Sequence, residues 1–310
     1  MLPFQSIIIL IVFLSLTIAH ANEQTSQQRY TVAFAQDTLS NDWRLAQVKQ
    51  FQKAFSQYPN IDFIYSNADG DAAQQFVDVK NFYHQNVDVI ITSPRNAAMM
   101  TPIVEEIVSK TPVVLVTRTI NSEKFTAIIR PDDYKIASEA AHVLAKKMGN
   151  SGNIVMLTGI PTASTAIKRK QGFIDTIKNH YPDIKITAIK NGNYLRSDAI
   201  IAINEIIAKK IDFDAIYAHS DSMASGARMA LKHAGINVKS KLIVGIDYIN
   251  EAKDAIINDE QYASFLYPTC AQEASEVVIK ILNKKPYQKE TIVKSEAITK
   301  ENVHQIDPIF

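Results

Sequence analysis

Short apolar runs alternate with longer amphipathic stretches along almost the whole chain. A run such as Val87–Thr92 is nearly continuous in hydrophobic residues, which is typical of a parallel strand covered by helices on both faces. The strands predicted in the first half are Tyr30–Gln36, Ile61–Ser66, Val87–Thr92, Val113–Val116 and a run that begins at Phe125. The helices predicted between them are Asp42–Ser56, Ala72–Gln85 and Ala97–Lys110.

The same alternation then starts again. The strands predicted in this second set are Asn153–Leu157, Ile184–Ile189, Ala215–Ala218, Leu242–Ile246 and Tyr262–Leu266. The helices predicted with them are Ala163–Asn179, Arg196–Ala208, Ser222–Ala234, Asn250–Asn258 and Ala271–Leu282. Two consecutive sets of strand–helix units predict an α/β protein built from two doubly wound parallel-sheet lobes.

The segment between the two sets is not a flexible Gly/Ser linker. Phe125–Asp133 has the pattern of a strand that ends in a turn, and it leads into a helix predicted over Tyr134–Met148. An ordered crossover of this kind favours a hinge between the lobes over independent domains.

An apolar run from Ile7 to Ile18 precedes the first strand and ends at Ala19-His20-Ala21. The run is short for a bilayer span, and small residues at its end are typical of a secretory signal peptide, predicted here as residues 1–21. No Lys or Arg precedes the run, so an uncleaved signal anchor is the alternative. Export predicts that the mature protein folds in the periplasm.

Composition narrows the classes of function. The chain has 310 residues, of which 46% are hydrophobic and 21% charged, with a net charge of +1. Such a balance suits a folded protein and provides no overall field for nucleic acid or a membrane surface. The single Cys270 cannot form an internal disulfide, and core packing is its expected role, with a reactive thiol as the alternative.

Candidate binding residues follow the predicted strands, where open parallel sheets bind their ligands. They are Asp42, Trp43, Arg44, Asn67, Asp69, Asp71, Ser93, Arg95, Thr117, Arg118 and residues 130–133 in the first half, then residues 162–169, Tyr194, Arg196, Ser220, Asp221, Asp247 and Tyr248. Guanidinium and carboxylate groups form paired hydrogen bonds with neighbouring hydroxyls. The set therefore indicates a small polyhydroxyl ligand, although single acids after strands are often only helix caps.

Catalytic chemistry has little support in the sequence. The histidines lack metal-ligand spacing, and the chain has neither a nucleophile elbow nor a phosphate-binding loop. Trp43 is either a ligand-stacking residue or ordinary core, and His219 is either a ligand contact or structural. We expect no catalytic residue, no metal and no cofactor.

Several stretches of the chain match a known pattern: Phe34–Gln36, Asp42–Arg44, Gly70–Gln74, Val87–Pro94, Thr101–Glu106, Phe125–Asp132, Ala166–Phe173, Tyr217–Met223 and Gly245–Asp247. Through them the chain resembles the periplasmic sugar-binding proteins of bacterial ABC transporters, the ribose-binding type, and among these the galactofuranose-binding members. The resemblance covers essentially the whole mature chain. It is specific for the family and much less so for the ligand.

The resemblance implies a type I periplasmic-binding-protein fold, in which two lobes joined by three crossings close on a ligand. The first lobe is expected over residues 29–129 and 268–290, and the second over residues 131–266 and 291–310. Matched position by position, the implied ligand contacts are Trp43, Arg44, Asn67, Ser93, Arg118, Arg169, Tyr194, Arg196, Ser220, Asp221 and Asp247.

The chain also departs from the family pattern. The family often has Asp in place of Asn67, a role that Asp69 could fill here, and also Asp in place of Thr117 and of Lys168. It often has Asn in place of Ser220, Gly in place of Tyr248, and Gln or Glu in place of Phe265 or Leu266. Several of these changes remove a carboxylate or an amide, while the arginines remain. A less acidic cleft is expected, and with it either a ligand other than a simple neutral aldose or a sensor relative with altered recognition.

Two functions fit this reading. The first is a binding protein that captures a sugar or related polyol and delivers it to a membrane permease. The second is a sensory binding protein that reports the ligand to the periplasmic domain of a membrane receptor kinase. A transcription regulator of this fold would need a DNA-reading domain before Tyr30, where the chain has only the signal-like segment, so no nucleic-acid partner is expected.

Overall fold

The computed structural model describes residues 28–310, so the predicted signal peptide lies outside the described residues. The elements before the first crossing between lobes are β1 (Tyr30–Gln36), α1 (Asp42–Phe55), β2 (Ile61–Asn67), α2 (Ala72–His84), β3 (Val89–Thr92), α3 (Ala97–Ile107), β4 (Val113–Val116) and β5 (Ala127–Arg130). The strands and helices predicted for this half are confirmed, with bounds that differ by a few residues.

The second lobe follows without interruption. Its elements are α4 (Asp133–Lys147), β6 (Gly152–Thr158), α5 (Ser164–His180), β7 (Ile184–Asn191), α6 (Arg196–Ala208), β8 (Ala215–Ala218), α7 (Asp221–His233), β9 (Leu242–Asp247), α8 (Asn250–Ile257) and β10 (Ala263–Leu266). The chain then forms α9 (Ala271–Leu282), β11 (Glu290–Ile292) and β12 (Ala297–Ile298). The last two strands were not predicted, because segments of two or three residues have no periodicity to detect.

The strands assemble into two six-stranded sheets with the orders β11-β5-β4-β3-β1-β2 and β12-β10-β9-β8-β6-β7. Neighbouring strands run parallel, except that β12 pairs antiparallel with β10 at the edge of the second sheet. In both sheets the order of the strands reverses beside the first strand of the lobe, β1 or β6. Such a reversal is where doubly wound sheets leave a crevice for a ligand.

Helices cover both faces of each sheet, which explains the continuous hydrophobic strands. In the first lobe, Phe34 and Phe51 pack with α9 on one face, while Ile90 and Val104 pack on the other. Each such fully buried side chain contributes about 1.5–3 kcal/mol relative to an exposed one. The second sheet likewise separates an α4–α5 core from an α6–α7 core.

Three chain segments connect the lobes. The first joins β5 to α4, the second runs from β10 through Tyr267 to α9, and the third joins β11 to β12. Because β11 pairs with β5, the first sheet extends to Ile292, and the lobe boundary expected after residue 290 falls inside this strand. The C-terminal residues Ile309 and Phe310 return to the core of the second lobe.

Within residues 28–310, the structure contains neither a membrane-spanning helix nor a cluster of metal-binding side chains. No helix in residues 28–310 has both the length and the hydrophobicity needed to cross a membrane. Nor does this part of the chain bring together three or more His, Cys, Asp or Glu side chains that could hold a metal ion. Cys270 is buried at the start of α9.

Candidate ligand-binding site

A cavity of about 240 Å³ lies between the two lobes. It is surrounded by the loops that follow the carboxyl ends of the strands in both sheets, where a doubly wound protein binds its ligand. The charged and aromatic side chains in its wall are Asp37, Trp43, Arg44, Asp69, Arg95, Arg118, Arg169, Tyr194, Asp247 and Tyr267. Polar groups from both lobes therefore face one shared cavity, as in a small-molecule site.

The wall contributed by the first lobe is organised around Asp37, which follows β1 and is completely buried. Arg118 donates from Nη1 to Asp37 Oδ2 at 2.8 Å. The Nε of Arg44 lies 3.4 Å from Asp37 Oδ1, and Arg95 Nη1 lies 3.6 Å from Oδ2. Burial alone raises the pKa of Asp37, but Arg118, Arg44 and Arg95 outweigh it and hold that pKa below its usual range. Asp37 is therefore ionised.

Arg44 extends from the first turn of α1 and is oriented by neutral groups. Its Nη1 donates to Gln47 Oε1 at 3.1 Å and to Ser93 Oγ at 2.9 Å. Ser93 in turn lies 3.1 Å from Thr117 Oγ1, so the residues that follow β3 and β4 position this guanidinium. Held in this way, Arg44 loses little side-chain freedom when it binds a ligand.

The wall contributed by the second lobe is organised around Arg169 on α5. The Nε of Arg169 donates to Asp133 Oδ1 at 2.8 Å, and Nη1 donates to the carbonyl oxygen of His219. The guanidinium carbon lies 4.3 Å from the centre of the Tyr267 ring. Burial opposes the charge, but Asp133, Tyr194, Tyr267 and Asp247 together outweigh it and raise the pKa of Arg169 well above its ordinary value. Arg169 is thus a fixed, fully charged donor.

Aromatic rings complete the wall from both lobes and from a crossing segment. Trp43 is only 5% exposed, and its Nε1 donates to the carbonyl oxygen of Tyr267 at 3.1 Å. Tyr194 follows β7, and its hydroxyl lies 3.0 Å from Thr165 Oγ1. A Cβ at Gly159 would lie 2.0 Å from Tyr194 Cζ, so only glycine lets the ring pack here. Guanidinium groups lie over these rings, with Arg44 5.0 Å from the centre of the Trp43 ring and Arg118 5.7 Å from that of Tyr194.

Asp247, at the end of β9, contributes a carboxyl group to the cavity wall from the second lobe. Its backbone has φ 121°, outside the usual range for a residue with a side chain. Burial raises the pKa of Asp247 well above its ordinary value, against the opposing effect of Arg169. A ligand hydroxyl that donates to this carboxyl would favour its ionised form.

The structure brings most of the sequence-predicted contacts into the cavity wall, namely Trp43, Arg44, Arg118, Arg169, Tyr194, Ser220 and Asp247. Asp69, which the sequence offered as a substitute for Asn67, also lines it. Their shared position after the strands explains why sequence reasoning found them.

Four predicted contacts do not line this cavity: Asn67, Ser93, Arg196 and Asp221. Asn67 accepts from the backbone N–H of Asp69 in an exposed turn, and Ser93 lies behind Arg44. Arg196 turns outward and donates to Glu251 at 2.7 Å. These side chains follow strands as predicted, but they point away from the cavity.

Asp221 points into the second lobe. Its carboxylate accepts from the Tyr248 backbone N–H at 2.7 Å, from Ser264 Oγ at 2.5 Å and from Gln261 Nε2 at 2.7 Å. Burial raises the pKa of Asp221 to about 6. The group connects β9 and β10 beneath the cavity floor, which is a structural arrangement.

Sequence reasoning missed Asp37, Asn41 and Tyr267. Asp37 directly follows β1, and that position alone was a signal for it. Tyr267 belongs to a crossing segment, and its role depends on how the lobes meet. Thr117 lacks the carboxylate that the family often has at its position, but Asp37 supplies a carboxylate to Arg118 instead. The expectation of a less acidic cleft therefore does not hold at this position.

Direct contacts join the lobes around the cavity. Asn41 Nδ2 donates to the carbonyl oxygen of Tyr194 at 2.7 Å, and Arg196 Nη2 lies 3.8 Å from Asp42 Oδ2. Elsewhere, Thr162 Oγ1 donates to the carbonyl oxygen of Arg95 at 2.9 Å. These bonds bridge residues from different lobes, so the lobes are in contact in this structure.

The fold and the cavity together define a two-lobed ligand-binding protein. The family profile described as "Periplasmic binding protein domain" matches residues 32–286, and the chain belongs to that family. The family assignment made from the sequence motifs and the type I periplasmic-binding-protein fold are both confirmed. The relatives are sugar-binding proteins and not enzymes, in agreement with the sequence analysis.

Three relatives illustrate the similarity. The galactofuranose-binding protein YtfQ of Escherichia coli (strain K12) is 30% identical over 262 residues, which cover 81% of each chain. A xylitol-binding protein of Mycolicibacterium smegmatis is 28% identical over 82% of this chain and 73% of its own. The solved fructose-binding periplasmic domain of a hybrid two-component system superimposes with a TM-score of 0.84 at 33% identity, covering 90% of this chain and 93% of that domain.

Proposed function

We propose that this protein is exported to the periplasm after removal of residues 1–21, and that it captures a sugar or related polyol between its lobes for delivery to a membrane permease. The observation that carries the proposal is the cavity wall, in which Arg44, Arg118, Arg169 and Asp247 converge from two lobes. Fixed guanidinium and carboxyl groups suit adjacent hydroxyls. The names of the relatives, which include galactofuranose, xylitol and fructose, support a ligand of this kind.

Titration of ligand-free protein tests this function directly. Fructose, galactose, ribose and xylitol would be added to protein that has been unfolded, dialysed and refolded to remove any carried ligand. Trp43 is the only tryptophan of the chain and lies in the wall, so a saturable change in its emission is expected on binding. Calorimetry on a Trp43→Phe variant provides the control, because its emission signal disappears while heat of binding remains detectable. Absence of both heat and emission change across the panel would refute the proposal.

Closure of the lobes on the ligand can be tested at Asn41. An Asn41→Asp variant retains an oxygen to cap α1, where Asn41 Oδ1 accepts from the Arg44 backbone N–H, but it loses the donor to the Tyr194 carbonyl. Loss of a hydrogen bond and the approach of two oxygens cost roughly 1–3 kcal/mol, so affinity is expected to fall about tenfold. An Asn41→Ser variant, which also keeps the cap, should show a smaller loss. Unchanged affinity in the aspartate variant would show that this contact has no part in closure.

A sensory role is the second candidate, because one relative at 33% identity is the periplasmic domain of a hybrid two-component system. The two roles differ in what is lost when the gene is deleted. Loss of uptake of the radiolabelled ligand supports import. Normal uptake together with loss of ligand-dependent gene expression supports sensing.

A further inference from the structure

The first-lobe wall of the cavity carries more positive than negative charge. Arg44, Arg95 and Arg118 all lie within 3.6 Å of Asp37, and the Asp37 carboxylate is shared among the three guanidinium groups. Asp37 Oδ1 makes no hydrogen bond with any described residue, and neither does the buried Nε of Arg118. One carboxylate is therefore shared by three cations, and one donor and one acceptor in the group have no hydrogen-bond partner among the described residues.

Nearby groups do not restore the balance. The other partners of Arg44 are Gln47 and Ser93, both neutral. Asp69 lies at the cavity rim and is exposed to solvent, and so is Asp71, whose carboxylate accepts from the Ala73 backbone N–H as the cap of α2. Exposed carboxylates are screened by water and compensate a buried cation poorly.

The second-lobe wall is arranged differently. Arg169 already has a buried partner in Asp133, while Asp247 forms no salt bridge with the described residues, although Arg169 and Arg44 both act on its charge at longer range. The cavity therefore has a cationic side on the first lobe and an acceptor side on the second. A ligand that matches both sides carries negative charge at one end and hydroxyl groups at the other.

The crowding of like charges has a measurable consequence in the ligand-free protein. Burial, followed by repulsion from Arg118, lowers the pKa of Arg44 to about 10. Burial also lowers the pKa of Arg95, with Arg118 adding to the effect. An anion among the three guanidinium groups would remove this unfavourable interaction, because opposite charges in a poorly hydrated site attract strongly.

We infer that the ligand is a monosaccharide that carries one acidic group, with the acidic oxygens bound by Arg44, Arg95 and Arg118 and with hydroxyls directed to Asp247. The inference rests on the proposed function and specifies the class of its ligand. Planar guanidinium groups match carboxylate and phosphate oxygens in paired geometry. The rings of Trp43, Tyr194 and Tyr267 line the same cavity and add contact area for a sugar ring, which a bare inorganic anion would not use.

Calorimetry with matched ligand pairs tests the inference. The pairs are galactose with galacturonate, sorbitol with gluconate, and fructose with fructose 6-phosphate; inorganic phosphate serves as an anion without a sugar. At low salt the acidic member of at least one pair is expected to bind tenfold or more tightly than its neutral partner. The carboxylate and phosphate arms identify which acidic group is preferred. Raising the salt concentration to 1 M should reduce the preference, since screening weakens charge attraction.

The variant Arg95→Gln tests whether the preference for an acidic ligand depends on the group formed by Arg44, Arg95 and Arg118. Arg95 is the most exposed of the three arginines, and Asp37 keeps Arg44 and Arg118 when it is replaced. The ratio of the acid's affinity to that of its neutral partner is expected to fall about tenfold. Arg29→Gln, at an exposed first-lobe arginine bound to Asp62, is the matched control and should leave the preference intact.

Different results would contradict the acidic ligand and the proposed sugar-binding function. Tighter binding of the neutral members, or an acid preference that survives in Arg95→Gln, would overturn the acidic ligand and leave sugar binding in place. Inorganic phosphate that binds as tightly as the best acidic sugar would reduce the cluster to a simple anion site and overturn the monosaccharide assignment. No binding by any sugar in the panel would refute the proposed function and this inference with it.

Discussion

Replacing Arg169 with alanine is expected to cause both the greatest loss of affinity and a large loss of stability. Arg169 lines the cavity, and its guanidinium is also the partner of buried Asp133 at 2.8 Å. Removal of one partner from a buried ion pair costs about 3–5 kcal/mol, because the other charge remains buried. The hydroxyl of Tyr267, 3.3 Å from Asp133 Oδ2, compensates only in part. Thermal melting of the ligand-free variant should show a drop of roughly 10 °C.

The affinity of Arg169→Ala is expected to fall by at least about a hundredfold, since charge-assisted hydrogen bonds to ligand are lost and the second-lobe wall is disturbed. Arg228→Ala is the matched control. Arg228 is equally buried in the second lobe but bonds to Gln261, outside the cavity wall. It should lose stability while the folded protein keeps near-normal affinity in calorimetry. A similar loss of affinity in both variants would mean that Arg169 acts only through stability.

Arg118→Ala is expected to behave differently, with weaker binding and an almost unchanged melting temperature. Asp37 keeps Arg44 and Arg95 after the substitution, so no buried charge is left without a partner. Removal of one of three crowded cations also relieves repulsion in the ligand-free protein. The lost ligand contacts are worth roughly 1.5–3 kcal/mol, which corresponds to a tenfold or greater loss of affinity.

Lysine at position 118 should restore little of this affinity. A compact ammonium cannot bond Asp37 and a ligand together in the planar paired geometry of a guanidinium. Calorimetry and melting curves on the alanine and lysine variants distinguish the roles. If Arg118→Ala instead melted far below the wild type and bound normally, Arg118 would be a structural ion-pair residue, and the site would need to be redefined.

Residue pattern was sufficient for much of the architecture. The continuous apolar strands β1, β3 and β4 are hydrophobic on both faces because α1 and α9 cover one side of the sheet and α2 and α3 the other. Such patterning is local and can be read from one sequence. The sequence did not predict β11 and β12, because their pairing depends on where the chain lies after the second and third crossings.

The position of a residue after a strand identified candidates for the site, but the sequence did not show in which direction each side chain points. Arg118 and Asp221 both follow strands, yet Arg118 enters the cavity while Asp221 turns into the second lobe to hold Tyr248 and Ser264. The direction that each side chain takes depends on its packing and hydrogen-bond partners from distant segments, such as Asp37 for Arg118 and Ser264 for Asp221. The spacing of residues along the sequence does not predict the direction of a side chain.

The sequence by itself determined the two-lobed α/β organisation, the edge of each sheet where a ligand would bind and most of the residues there, because hydrophobic periodicity and strand ends are local properties of the chain. Only the tertiary structure decided that Asp37 is shared by Arg44, Arg95 and Arg118, and that Arg169 is held by Asp133. Those contacts join residues far apart in sequence, and charge balance in a buried site depends on distances that exist only after the chain has folded.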